Sequence, residues 1–437
     1  MSNNEGPKLW KKAKSVIPGG SQLLSKRSEL FLPEYWPSYY EKAKGIEIWN
    51  LDGTKYTDMS LMGIGACILG YADDEVDKAV MTAIKNGSAS TLNCHEEVEL
   101  AELLLKIDPW AGMVRFSRSG GEAASIAVRI ARAASGKDKV AFCGYHGWHD
   151  WYLASNLSDQ QNLDGHLLPG LQPKGVPRVL KGTSIPFNYN DLNALKTIID
   201  TQDIGTVIME PIRNFEPKDN FLNEVRKLTE KKGIILIIDE ISSGWRLTKG
   251  GAYKLYNFEP DITVYAKAMS NGYPMSAIVG KSSVMDAAQE SFISSTHWTE
   301  RIGPTAAIAT INKMIERDVP SHITKMGKQI KNGWKKLSAE HNINLRVFGI
   351  DPMPHFEFDY QNMELGLKTY FTQEMLKKNY LASNGVYLSY SHSTEDINEY
   401  LEQVDSVFKS VREIISNNNL KANLEGPVAQ TGFKRLA

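Results

Sequence analysis

The feature that most limits what this chain can fold into is an alternation in its middle. From about residue 60 to Pro304, strand-length apolar runs trade places with helical stretches. Runs at 114–116, 140–142, 206–209, 234–238 and 262–265 read as strands, and the spacing predicts helices over 98–107, 121–134, 191–199 and 220–231. Strands separated by helices imply a largely parallel, buried sheet, so the expected fold class is α/β.

The flanks read differently. The first 60 residues suggest a helix over 9–16, a Pro18-Gly19-Gly20 break and short strands around 46–49 before the Asp52-Gly53 turn. After Pro304 come a helix to about Arg317, another to about His341, and then alternating strand and helix. The economical organisation is a large domain over 61–304 and a smaller α+β domain over 305–437, to which residues 1–60 contribute. The polar stretch 156–186 lacks periodicity and fits a lid or a loop crossing at a subunit contact.

Charge narrows the function classes. Lysine plus arginine (50) nearly cancels aspartate plus glutamate (51), which argues against a protein built to grip nucleic acid or an anionic membrane. The longest apolar runs are far short of a membrane span, and no secretory signal is visible at the start. Cys67, Cys94 and Cys143 make neither a disulfide framework nor a metal-ligand spacing, so no metal is expected and a reducing cytoplasm is the expected setting.

Three motifs carry chemistry. Ser119-Gly120-Gly121-Glu122 follows a strand and opens a helix, where backbone N–H groups and the helix dipole suit a phosphate; a flexible strand-to-helix turn is the plain alternative. Asp239 ends the apolar run 235–238, the edge at which open α/β sheets keep their ligands. There it could hold a protonated ring nitrogen, or serve only as a helix cap or in an ion pair. Lys267 closes the run 262–265 inside an uncharged stretch before Asn271-Gly272, a setting that favours a nucleophilic amine. One strand–helix–strand step separates Asp239 from Lys267, so both reach the same sheet edge. Tyr145-His146-Gly147 follows a third strand and offers an aromatic face, and Glu210-Pro211 ends a fourth.

With these motifs the chain resembles the class III aminotransferases of fold type I, which use pyridoxal 5′-phosphate (PLP), and within them the glutamate-1-semialdehyde aminomutase-like group. The likeness runs from Pro18-Gly19-Gly20 to Gly426-Pro427-Val428. It implies a mostly parallel seven-stranded-type sheet sandwiched by helices, a small α+β domain, and a homodimer with shared active sites. By the same resemblance Lys267 would form the Schiff base with PLP and shuttle the proton, and Asp239 would pair with the pyridine nitrogen. Ile241 and Tyr145 would pack on the two ring faces, with His146 beside them and Glu210 near the cofactor. Ser119, Gly120 and Gly121 would cradle the phosphate, and Thr299 would reach it from the neighbouring subunit.

Departures from the family pattern bear on substrate. Ser-Gly-Gly-Glu stands for the more usual Ser-Gly-Thr-Glu, and Thr299 to Pro304 lacks the Ser-Gly-Asn-Pro run of many relatives. Ile64 stands near the place of the aminomutases' substrate-side tryptophan, and Asn384 near that of an acidic residue, both counting against glutamate 1-semialdehyde. Tyr145, Trp148 and Trp151 with His146 and His149, and Trp298 beside His297, suit a sugar ring, or else core and interface packing. Tyr35, Trp36, Tyr39 and Tyr40 suggest packing or interface, and His166, His355 and His392 structural or surface roles. The expected activity is ping-pong amino transfer from an amino acid donor to a sugar-like keto or aldehyde acceptor. The alternatives are glutamate-1-semialdehyde 2,1-aminomutase, a PLP racemase or decarboxylase, and a non-catalytic PLP-binding protein.

Overall fold

The computed structural model describes residues 5–166, 169–212 and 214–432. They form two compact units, one running from Asp74 to Pro320 and one made of the chain up to Asp73 with the chain from Ser321 onward. Both boundaries fall later in the chain than residues 60 and 304.

The unit from Asp74 to Pro320 is built on a seven-stranded sheet. Its strands lie side by side in the order Met113–Ser117, Ser276–Gly280, Ile262–Tyr265, Ile235–Asp239, Ile204–Met209, Lys139–Cys143 and Ser184–Pro186. Only Ser276–Gly280 runs antiparallel to its neighbours. Successive residues of the central strands serve opposite faces. Ile235 and Ile237 join one core cluster with the helix Gly120–Ser135, whereas Leu236 and Ile238 join another with the helices Leu192–Thr201 and Phe221–Lys231. Helices on both faces explain why these strands are apolar throughout. The sheet is the mostly parallel, helix-covered one expected of fold type I.

Two of the seven strands escape the apolar-run reading. In Ser276–Gly280 only Ala277-Ile278-Val279 is apolar, between a serine and a glycine, and Ser184–Pro186 is three residues long and ends in a proline that only an edge position tolerates. The polar stretch after residue 156 is pinned in its first part. Leu163 is fully buried, and the Asn156 side chain accepts from Leu163 N at 3.0 Å and donates to Leu171 O at 2.9 Å.

The second unit joins the two ends of the chain. Tyr40–Lys44, Glu47–Asn50 and Lys55–Met59 form an antiparallel meander, and Tyr380–Ala382 adds to Lys55–Met59 in parallel. The hairpin Leu345–Phe348/His355–Phe358 and the helices Glu364–Lys377 and Thr394–Asn417 complete it around Phe356, Phe371 and Phe408. Trp36 stacks on Phe31 at 4.5 Å, so it is a packing residue. His392 is buried and hydrogen-bonded to Ser389, and desolvation lowers its pKa to about 4.

Candidate functional site

Register brings the chemistry to one edge. Ser117 pairs with Ser276, Tyr265 with Ala277, Asp239 with Val264, and Met209 with both Ile238 and Cys143. The residues that follow these strand ends, at 118–122, 144–149, 210, 240–246 and 267, therefore emerge together, where parallel sheets place ligands.

Asp239 lies deepest, at 1% exposure. Its Oδ2 is 2.7 Å from His146 Nδ1, and its Oδ1 accepts the Ile241 N–H at 3.0 Å. His146 is equally buried, and its Nε2 donates to the Cys143 carbonyl at 3.1 Å. His146 thus stands behind the carboxylate and orients it, rather than facing outward among the cofactor contacts. A hydrogen-bonded partner of this kind is what a buried carboxylate requires.

Lys267 follows the strand Ile262–Tyr265 and opens a short turn. Its φ of 47° is left-handed, a conformation that costs a non-glycine residue roughly 1–2 kcal/mol and must be held by its surroundings. Its Nζ donates to Ser242 Oγ at 2.8 Å. The turn carrying Ser242 is braced by Gly244 N to Glu240 O at 2.8 Å and by Ser243 Oγ to Glu240 Oε2 at 2.6 Å. Ile241, in the same turn, packs so tightly on Gly120 that a Cβ there would lie 3.0 Å from Ile241 Cδ1.

Ser119 caps the helix Gly120–Ser135. Its hydroxyl accepts from Glu122 N while Glu122 Oε2 accepts the Ser119 and Arg118 N–H groups at 2.9 and 3.0 Å. The N–H groups of Gly120 and Gly121 have no partner within the helix. Gly147, at φ 108°, presses against them so closely that its Cβ would sit 2.8 Å from Gly121 Cα. His149 lies beside Gly121, and its Nδ1 is buried without a hydrogen-bond partner among the described residues. Burial lowers the His149 pKa, against the opposing pull of Glu122 and Asp150.

Tyr145 is half-buried, its N–H donating to Glu210 Oε2 at 3.1 Å, and the glycine before it is obligatory because a Gly144 Cβ would stand 2.6 Å from that oxygen. His166 receives the Gly144 N–H at 3.2 Å, and burial drops its pKa to about 4, so it is a structural acceptor. Thr299 is exposed and its hydroxyl donates to Thr296 O at 2.9 Å. The aromatic group divides: Trp148 is 69% exposed and stacks on His149, whereas Trp151 is 7% exposed and donates to Ser125, and so belongs to the core.

Two features were invisible as motifs. Ser242 meets Lys267 only through the tertiary fold. Arg118 donates to the carbonyls of Trp298 and Glu300 at 2.8 Å and pairs with the Glu300 carboxylate at 2.8 Å. Glu300 in turn accepts the Ile302 and Gly303 N–H groups at 2.6 and 2.9 Å, capping the helix Ile302–Glu316. This carboxylate cap lies within the segment Thr299 to Pro304.

Comparison with known proteins gives the family. The family model described as aminotransferase class-III matches residues 33–396. Among curated proteins, the chain is 32% identical over 422 residues to a 3-aminobutyryl-CoA aminotransferase of Cloacimonas acidaminovorans, covering 93% of this chain and 97% of that one. It is 32% identical to a glutamate-1-semialdehyde 2,1-aminomutase of Methanobrevibacter smithii (91% and 96% covered) and 28% identical to a 2′-deamino-2′-hydroxyneamine transaminase of Streptomyces kanamyceticus (84% and 90%). The PLP internal aldimine form of FumI from Sphingopyxis sp. MTA144 superposes with a TM-score of 0.85 at 25% identity, covering 95% of this chain and 98% of that one. The chain belongs to the class III aminotransferases, PLP-dependent enzymes of fold type I.

Proposed function

We propose that this enzyme moves an amino group from an amino acid donor to a sugar-like keto or aldehyde acceptor, with Lys267 and Asp239 as its catalytic residues. The single observation that carries the catalytic assignment is the pairing of a buried, His146-backed Asp239 with the amine of Lys267 at the ends of neighbouring parallel strands.

The residues fit PLP. The Gly120 and Gly121 N–H groups at the helix start, His149 Nδ1, which has no hydrogen-bond partner among the described residues, and the positive helix end offer donors for a phosphate. Ser119 contributes its position as cap. Ile241, seated on Gly120, and Tyr145 would flank the ring, while His146 braces Asp239 and Glu210 holds the Tyr145 backbone. PLP supplies an electron sink that stabilises the charge left when a proton leaves the donor's α-carbon. Asp239 would hold positive charge on the ring nitrogen, and its burial would keep water from competing for that contact. Lys267, on a flexible stem, would hold the cofactor and, as an amine at the same edge, would take up and return the proton at the donor's α-carbon. Ping-pong exchange follows, because the same residues serve the second carbonyl compound in reverse.

For the acceptor, support comes from the exposed Trp148 stacked on His149 beside the phosphate donors, and from the 2′-deamino-2′-hydroxyneamine transaminase among the relatives. The aminomutase reading is favoured by the similarity to the Methanobrevibacter protein. The partner we propose is a second copy of the chain, with the exposed Thr299 of one subunit completing the other's phosphate site; Leu92 and Phe292, at 80% and 86% exposure, are apolar surface for such a contact. No helix among the described residues is long and apolar enough to cross a membrane, and the three free cysteines suit the cytoplasm as the proposed location. Presenting a panel of amino donors to the purified holoenzyme, and then keto-sugars, tests the activity. Conversion to the pyridoxamine form with release of a keto acid, reversed by a keto-sugar, is expected. Conversion of glutamate 1-semialdehyde with no net donor would select the mutase.

A further inference from the structure

The turn after Asp239 is rigid for reasons internal to it. Ile241 N donates to Asp239 Oδ1, Gly244 N to Glu240 O, and Arg246 Nε to Ser242 O at 2.7 Å, with the Arg246 side chain fully buried. Glu240, also buried, accepts from Ser243 Oγ and from Tyr253 N at 2.9 Å. These bonds hold the Ser242 hydroxyl, 8% exposed, as a stationary acceptor 2.8 Å from Lys267 Nζ. A lysine amine on four methylenes has many rotamers, and one fixed acceptor selects among them.

We propose that Ser242 is a positioning residue that parks the Lys267 amine whenever it is not joined to the cofactor. It acts in the cofactor-free protein and in the part of each cycle when the donor has displaced the lysine. This rests on the reading that Lys267 is the amine that joins PLP. Losing one hydrogen bond to a charged group corresponds to about a tenfold effect on a rate that needs the bond.

The test compares wild type, Ser242→Ala and Ser242→Thr, with Ser242→Gly if the alanine variant fails to fold. Cofactor-free protein is mixed with PLP and capture is followed by visible absorbance. Turnover is measured with protonated and α-deuterated donor. For Ser242→Ala we expect capture slowed about tenfold, kcat lowered by a similar factor at unchanged KM, and a larger isotope effect, with Ser242→Thr restored and melting temperatures alike. Wild-type capture and kcat in Ser242→Ala would overturn the proposal, and so would a Ser242→Thr variant as slow as alanine, since the contact would then be packing. Borohydride trapping separates the two levels. A label away from Lys267 sinks the catalytic reading itself, whereas a label on Lys267 with unchanged rates sinks only the role of Ser242.

Discussion

Asp239 and Thr299 lie in the same unit and are held in opposite ways. Asp239 ends a central strand, is shut away from water and has an imidazole behind it. Thr299 sits exposed on a short turn tied down by polar contacts, Arg118 with Trp298 and Glu300 and Arg301 with Glu96. Sheet register alone decides where the first goes. The second depends on a few polar contacts that solvent and salt can weaken. The half of the site made of strand ends is therefore expected to be stiff and intolerant, and the half made of surface turns adjustable.

The sharpest way to break that contrast is at the stiff half. Lys267→Ala should abolish covalent cofactor attachment and lower turnover by roughly 10⁴-fold or more while the fold, read by circular dichroism, persists. Wild-type turnover in this variant would remove the site from this edge. Asp239→Asn keeps shape and removes charge, and kcat should fall about 10²–10³-fold with little change in melting temperature.

A pH experiment probes the residue next to it. Burial pushes the Glu240 carboxyl up to about 7, against the lowering influence of hydrogen bonds from Ser243, Tyr253 and Ala252. A carboxyl with a raised folded-state pKa stabilises the fold when protonated, and that contribution is lost as pH rises from the unfolded value of 4.5 through about 7. The loss amounts to roughly 3 kcal/mol for an upward shift of this size. Glu240→Gln cannot titrate, so its unfolding free energy relative to wild type should rise by that order between about pH 4 and pH 8. A difference that stays flat with pH would mean that folding leaves the Glu240 carboxyl at its unfolded pKa.

The smallest effect belongs to the adjustable half. Arg118→Ala should weaken cofactor retention only about three- to tenfold, and added salt should narrow the gap between variant and wild type. Equilibrium dialysis against PLP measures both. A loss as large as that of Lys267→Ala would erase the distinction drawn here.

The same contrast explains what could be read from the residues alone. The central strands announce themselves because burial on both faces makes them continuously apolar, and Asp239 and Lys267 stand out as charges at the ends of such runs. Ser276–Gly280, with only three apolar residues in a row, and the three-residue edge strand Ser184–Pro186 are too short in apolar run to give that signal. Trp151 looks like its neighbour Trp148 in sequence, yet one is core and the other surface, because the helical turn Asp150–Leu153 turns one ring toward Ser125. Contacts such as Ser242 with Lys267, His146 with Asp239 and Arg118 with Glu300 join residues far apart in the chain, and no local pattern records them.

The account depends most on which amine holds the cofactor. Borohydride reduction of the PLP-loaded enzyme, followed by proteolysis and mass spectrometry of the labelled peptide, reads this directly. The prediction is one phosphopyridoxyl group per chain, on Lys267. A label on any other lysine, or none on an enzyme that still turns over, would contradict it.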